Sequence, residues 1–254
     1  MRIERLTALL PGLGFLALLL AGLEWAVNAG LVRRALMPPP TAIWEVLSDL
    51  IASGEVLGPL FATLRLVFIG FAIGSAVGIA LGTAMGWWGA AYRLLEPLVE
   101  MLRPIPKAAL VPPLMLFLGL GDTMKITSVS LAVTFPVLVN TLQGVRGVDR
   151  VLLDSARTHG WGTARVLRHV VLPAALPFIL AGMKTSLGLA LIITVLSEML
   201  TGQGGLGFLI LDMQRSFLIR QMYAWLVILA LVGLALNAVF AWAEGRALHW
   251  QRRG

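Results

Sequence analysis

From Leu66 to Tyr92 the chain runs 27 residues without a charged side chain. About 20 apolar residues carry a helix across the hydrocarbon core of a bilayer. Inside a bilayer the backbone must bond to itself, so this run is predicted to be a membrane helix. Within it Gly70, Gly74, Gly78, Gly82 and Gly86 recur at every fourth position. On a helix they form one ridge without side chains, where a neighbouring helix approaches closely. In water each would cost roughly 1 kcal/mol against alanine, so their repetition implies a packing use. That use is either a tight static contact or a surface along which a helix moves.

Five further segments follow the same logic. The first covers roughly residues 7–31, with Glu24 near its far end. The glycine run itself extends over about Phe61–Trp88. A third, Ala108–Gly121, is short, with 14 uncharged residues between Lys107 and Asp122. Ile126–Val145 offers 20 uncharged residues, about 174–199 contains Lys184, and Gln221–Ala243 offers 23. The N-terminus mimics a signal peptide, but Leu6–Leu23 is 18 uncharged residues with no clear small-x-small site after it, so it is read as a retained span. Six spans predict an all-α integral membrane fold with both termini on one side. The basic residues choose that side: 13 of the 20 Lys and Arg fall inside if both termini are cytoplasmic, with Arg103 and Lys107 among them. Losing the short third span would reverse everything after it.

Composition agrees. The chain is 58% hydrophobic and 13% charged, with a mean hydropathy of +0.88, which excludes an ordinary soluble globule. The net charge of +7 gathers in a few loops, which argues against nucleic acid as a partner. The absence of cysteine excludes disulfides and thiolate metal sites. His159, His169 and His249 fall in no metal or catalytic motif, and no G-x-S-x-G or H-E-x-x-H occurs. Gly182-Met183-Lys184-Thr185 lacks the glycine directly before lysine that a phosphate loop needs. An integral membrane enzyme is therefore a weak rival. A secondary transporter or channel is another, and would need its own energy-coupling residues.

Between the first two spans, Met37-Pro38-Pro39-Pro40 stops a helix. Thr41 is then the predicted N-cap of an amphipathic helix with Ile43, Val46, Leu47, Leu50 and Ile51 on one face. A helix of this kind rests in the outer interface. The resulting division is a first transmembrane helix at 1–35, the interfacial helix at 36–60, a transmembrane core at 61–243 and a basic tail at 244–254. Inside the core lies a polar loop at 147–173, which begins with a short helix carrying Val151, Leu152, Ser155, Ala156 and His159 on one side. Gly160 ends that helix, because glycine accepts the left-handed conformation of a helix stop. Trp161-Gly162 makes the corner, Thr163–His169 starts a second short helix, and Leu172-Pro173 ends the hairpin. Small Ser155 and Ala156 would let a partner surface approach, Asp154 and Arg157 would supply charged hydrogen bonds, and Trp161 an aromatic anchor.

This loop resembles the signature of permease subunits of binding-protein-dependent ABC importers. That signature reads Glu-Ala-Ala, three residues, Gly, nine residues, then Ile-x-Leu-Pro. Asp154-Ser155-Ala156, Gly160, Val170, Leu172 and Pro173 stand at those spacings. Met37–Pro40, Glu100–Pro106, Gly119–Gly121, Ser197-Glu198-Met199 and Gly204–Gly207 look like the nitrate/sulfonate/taurine branch. The resemblance implies six helices of the ABC importer permease type and a cytoplasmic coupling loop of Asp154, Ser155, Ala156, Arg157, Gly160, Trp161, Leu172 and Pro173. It also implies two ATP-binding subunits, a second permease copy as a homodimer, an extracytoplasmic solute-binding protein, and the bacterial inner membrane as the location. No cofactor would be bound by this chain; ATP and Mg would be used by the partner ATPase. The solute implied is a small anion such as a sulfonate, taurine or nitrate, with a thiamine-precursor pyrimidine as the alternative.

Lys184 sits near mid-membrane on this reading, about 15 Å along a helix from the Leu-Pro stop. A lone cation there is costly, so it either helps an anion through or pairs with a structural carboxylate. Arg65 is near the end of its span and can snorkel. Glu198 and the glycines Gly204, Gly205 and Gly207 approach an outer gate in the resembled branch. They complete the predicted pathway set with Lys184.

Overall fold

The glycine ridge is where two helices meet. In the computed structural model, which describes residues 2–249, α1 spans Arg2–Asn28, α2 Pro40–Ser53 and α3 Leu57–Trp87. The chain continues through α4 (Gly89–Leu102), α5 (Val111–Leu118) and α6 (Asp122–Arg146). A β-carbon added at Gly70, Gly74, Gly78, Gly82 or Gly86 would strike Val129, Val133, Val137, Thr141 or Val145 in turn. Numbers rise together on both sides of the contact, so α3 and α6 run parallel in strict register. The exposed backbone of the ridge is also bonded: Ser130 Oγ donates to Gly70 O at 3.2 Å and Thr134 Oγ1 to Gly74 O at 3.3 Å.

Parallel neighbours cannot be joined at one end. The chain leaves α3 at Trp87 and must return along its length before α6 begins at Asp122. α4 makes this return together with a 3-10 turn at Lys107–Leu110 and α5, the two halves meeting at 88°. The straight third span predicted at 108–121 is corrected accordingly. Pro104 and Pro106 break the helix, and α5 alone, at eight residues, is only about 12 Å long. The return itself is required by the parallel register of α3 and α6.

Beyond α6 the chain forms α7 (Arg150–Thr158), α8 (Thr163–Val166), a π-turn at Leu167–Val171, α9 (Leu172–Thr201), α10 (Gly205–Arg215) and α11 (Ile219–Ala247). All regular structure among the described residues is helical. Four segments, α3, α6, Thr163–Thr201 and α11, are long and apolar enough to cross a bilayer, and the bent pair makes a fifth. α1 adds a 27-residue helix whose apolar stretch is Gly14–Asn28. Leu172-Pro173 does not end the hairpin as predicted. Thr163–Thr201 is one continuous 39-residue rod. Pro173 has no N–H and its ring crowds the preceding turn, and the wider π-turn immediately before it absorbs both effects.

The core lies between α3, α6 and α9. Val67, Met124, Val129, Val133, Val137 and Ala190 are buried there. α9 runs antiparallel to α6, since Gly144 faces Ala175 and Phe178 while Gly182 faces Pro136 and Asn140. α2 is capped by Pro39 with Pro40 in the first turn, not by Thr41. Thr41 instead donates from its N–H (3.1 Å) and hydroxyl (3.0 Å) to Glu24, fastening α2 to α1. The apolar stripe of α2 packs on protein: Leu47 is buried with Leu206, Ile210, Trp225 and Ile228 of α10 and α11. Ile51 of the predicted stripe stays exposed. α11 continues to Ala247, past the boundary drawn at 243, while Arg252 and Arg253 of the basic tail lie outside the described residues.

Candidate functional site

The loop between α6 and α9 is preformed. Asp149 caps α7 by accepting from the Val151 N–H at 2.9 Å. At the other end Gly160 adopts φ +72°, Trp161 N–H donates to Ala156 O at 3.2 Å and Gly160 N–H to Arg157 O at 2.9 Å. This is a Schellman stop, which needs the left-handed residue that Gly160 supplies. Ala156 is 8% exposed and packs with Leu153 against Val145, Val148, Val166 and Val171. The predicted single face is therefore split: Ala156 turns inward and secures the hairpin, while Val151, Leu152, Asp154, Ser155 and Arg157 remain exposed. Asp154 and Arg157 face each other across one turn at 3.6 Å. Trp161 is half-buried, edge-on to His169 with ring centres 6.0 Å apart and with the Arg165 guanidinium over it at 5.1 Å. Trp161 thus braces the hairpin from within.

At the far end of the bundle, Glu198 is fully buried. Its carboxylate accepts from Thr63 Oγ1 at 2.9 and 3.1 Å and from Gly207 N–H at 2.8 Å, and Thr63 Oγ1 accepts in turn from Leu206 N–H at 2.9 Å. Gly204 and Gly205 take positive φ to bring the first turn of α10 onto this carboxylate. Gly205 and Gly207 are buried, and Gly207 abuts the Val195 backbone. Glu198, Gly205 and Gly207 form a joint between α3, α9 and α10. Beside it, Arg65 pairs with Asp122, and buried Lys125 donates to Gln203 O at 2.7 Å.

Lys184 Nζ donates to Glu244 Oε2 at 2.9 Å, joining α9 to α11. Of the two alternatives read from the sequence, this geometry matches the structural counter-ion.

Sequence reasoning missed a fourth feature. Arg103 and Lys107, assigned to an inside loop, instead border a pocket of about 300 Å³ with Phe135, Pro136, Asn140 and Leu189. Lys107 Nζ sits 4.0 Å from the Phe135 ring centre and donates to Leu102 O. Phe135 is about 20 Å along α6 from Asp122 and about 17 Å from Arg146, so the break in the bent pair lies at half the helix depth. The glycine spacing announces a close contact in the sequence, but the parallel register with α6 that demands a return span, and so places the lysine and the prolines within it, is visible only in the packing.

Among the described residues no three His, Cys, Asp or Glu gather as metal ligands. The family model for the inner membrane component of binding-protein-dependent transport systems matches residues 74–247, which include both the loop and the pocket. The chain belongs to that family. It is 36% identical over 230 residues to the putative aliphatic sulfonates transport permease protein SsuC of Escherichia coli, covering 89% of this chain and 86% of that one. To the taurine transport system permease protein TauC of the same organism it is 31% identical over 243 residues, covering 94% and 88%. The permease fold is also that of the MetNI methionine ABC transporter in an inward-facing form, with a TM-score of 0.64, 18% identity, and 76% and 95% of the two chains covered. This chain is thus a multi-pass permease subunit of an ABC importer, a transporter component. As a permease, its long rod from Thr163 to Thr201 links the loop directly to the Glu198 joint.

Proposed function

We propose that the chain lines the pathway of an ATP-driven importer for a small anion, of the sulfonate, taurine or nitrate class, and couples that pathway to a separate ATPase. The observation that carries this reading is the continuity of Thr163–Thr201. A displacement of the α7–α8 hairpin cannot be absorbed at Pro173, because the helix does not break there. It passes along α9 to the Glu198 joint, where α9 meets α3 and α10. A partner gripping Val151, Leu152, Ser155 and Arg157 would therefore move the far end of the bundle.

The hairpin end is cytoplasmic on this reading. Removing Arg103 and Lys107 from the count leaves the basic bias pointing the same way, with Arg93, Arg146, Arg150, Arg157, Arg165, Arg168 and Arg246 at that end. Both termini are then cytoplasmic, in a bacterial inner membrane. Two ATPase subunits using ATP and Mg, a second copy of this permease and an extracytoplasmic binding protein complete the complex. The names of the relatives support a sulfonate or taurine as the solute. The test is solute-dependent ATP hydrolysis by the reconstituted complex, with taurine, an alkanesulfonate and nitrate as separate arms. Stimulation by one of them is expected; equal hydrolysis with and without each would overturn the reading.

A further inference from the structure

Among the described residues, several cations within the bundle have a clear partner. Arg65 has Asp122, Lys184 has Glu244, and Lys125 has the Gln203 carbonyl with Glu198 nearby. Lys107 has only the Leu102 carbonyl and the face of Phe135, and among the described residues no carboxylate pairs with it. Arg103 reaches Glu100 at 3.7 Å, in a pair whose side chains are 56% and 62% exposed. A carbonyl and a ring face reduce the burden of a cation without neutralising it. Two cations share one pocket at half depth, where each would be costly facing lipid. The pocket thus carries two cations, and the carboxylate near them, Glu100, is already paired with Arg103.

We propose that this pocket is a resting site for the anionic head of the solute on its way across, with Lys107 and Arg103 as the counter-charge. Asn140 spends one amide N–H on Pro136 O at 2.8 Å and keeps the other for an oxyanion. Phe135, Pro136 and Leu189 form an apolar wall suited to a short carbon tail. A volume of about 300 Å³ is at the small end for ligand sites, which fits a sulfonate or nitrate head and excludes bulky solutes. The arrangement is a few placed polar groups in an otherwise apolar cavity. This inference rests on the reading of the chain as an anion importer.

The test uses the complete complex in proteoliposomes, with a labelled alkanesulfonate at saturating binding protein. Lys107→Gln is expected to lower uptake about tenfold, as loss of one hydrogen bond to a charged group implies. Lys107→Arg is expected to restore most of it, since the charge persists. Asn140→Asp changes almost no volume but adds a like charge, and should abolish anion uptake even if Lys107→Gln lowers complex yield. Wild-type uptake by Lys107→Gln and Asn140→Asp, beside a wild-type complex that imports the anion, overturns the site alone. A wild-type complex that imports a neutral solute and no anion overturns the importer reading, and the site with it.

Discussion

Glu198 occupies the space that a side chain on Gly205 would need. A β-carbon there would collide with both carboxylate oxygens, which are held by Thr63 and by the Gly207 N–H. The backbone at Gly205 is also left-handed, at φ +83°. Two penalties therefore fall on one position, and the carboxylate cannot move aside without releasing Thr63 and α10. Gly205→Ala is expected to destabilise the protein by about 2–4 kcal/mol. Glu198→Ala should cost about 2–3 kcal/mol by leaving the Thr63 hydroxyl and the Gly207 N–H unpaired. Thermal unfolding followed by size-exclusion would read both, and an unchanged midpoint would contradict the joint.

The glycine ridge makes a position-specific prediction. At Gly78 a β-carbon would lie 2.8 Å from Thr134 O and 2.8 Å from Val137 Cβ, whereas at Gly188 nothing is within 4 Å. Gly78→Ala should destabilise by about 1–3 kcal/mol, because backbone on α6 must shift. Gly188→Ala should be neutral. Equal behaviour of the two in a melting assay would argue against close packing of α3 on α6.

Lys184 and Glu244 are 60 positions apart and 2.9 Å apart in space. Lys184→Met should lower the yield of folded complex by leaving Glu244 unpaired in the bundle, and the double variant Lys184→Met with Glu244→Gln should recover it. Uptake per folded complex should stay unchanged. A selective loss of uptake with normal yield would return Lys184 to the pathway.

Gly160→Val probes the loop. No neighbour lies within 4 Å of a β-carbon there, so the whole effect comes from φ +72°. A β-branched residue resists that angle by about 1–2 kcal/mol, and the Schellman stop should unwind locally. The bundle should insert normally while ATPase stimulation by solute falls severalfold. Normal stimulation would separate the hairpin from coupling.

Orientation can be read directly, since the chain has no cysteine to confuse labelling. Ser155 and Ser53 are both exposed. A cysteine at Ser155 should react only from the cytoplasmic side and one at Ser53 only from outside. Reaction of both from the same side would break the topology.

Much of the molecule was legible in one dimension. Helices, spans and the Gly160 stop depend on local quantities: the transfer free energy of a run of side chains, and the steric freedom of one residue. The glycine spacing announced a close contact, though not that Val129 to Val145 would fill it. Partners were the part the sequence withheld. Glu198 looked like a gate residue and is a buried acceptor for Thr63, 135 positions earlier. Ala156 looked like a docking surface and closes the hairpin instead. Arg103 and Lys107 looked like loop charges because they stand beside prolines at the edge of a short apolar run. A count of basic residues treats such charges as lying in water. Only the parallel packing of α3 and α6 shows that the break must lie within the membrane depth. Hydrophobicity is a sum over neighbours in the chain, so sequence alone determined that this protein spans a bilayer as helices. The depth of a charge and the identity of its partner depend on contacts between residues far apart in the chain, and tertiary structure decided those.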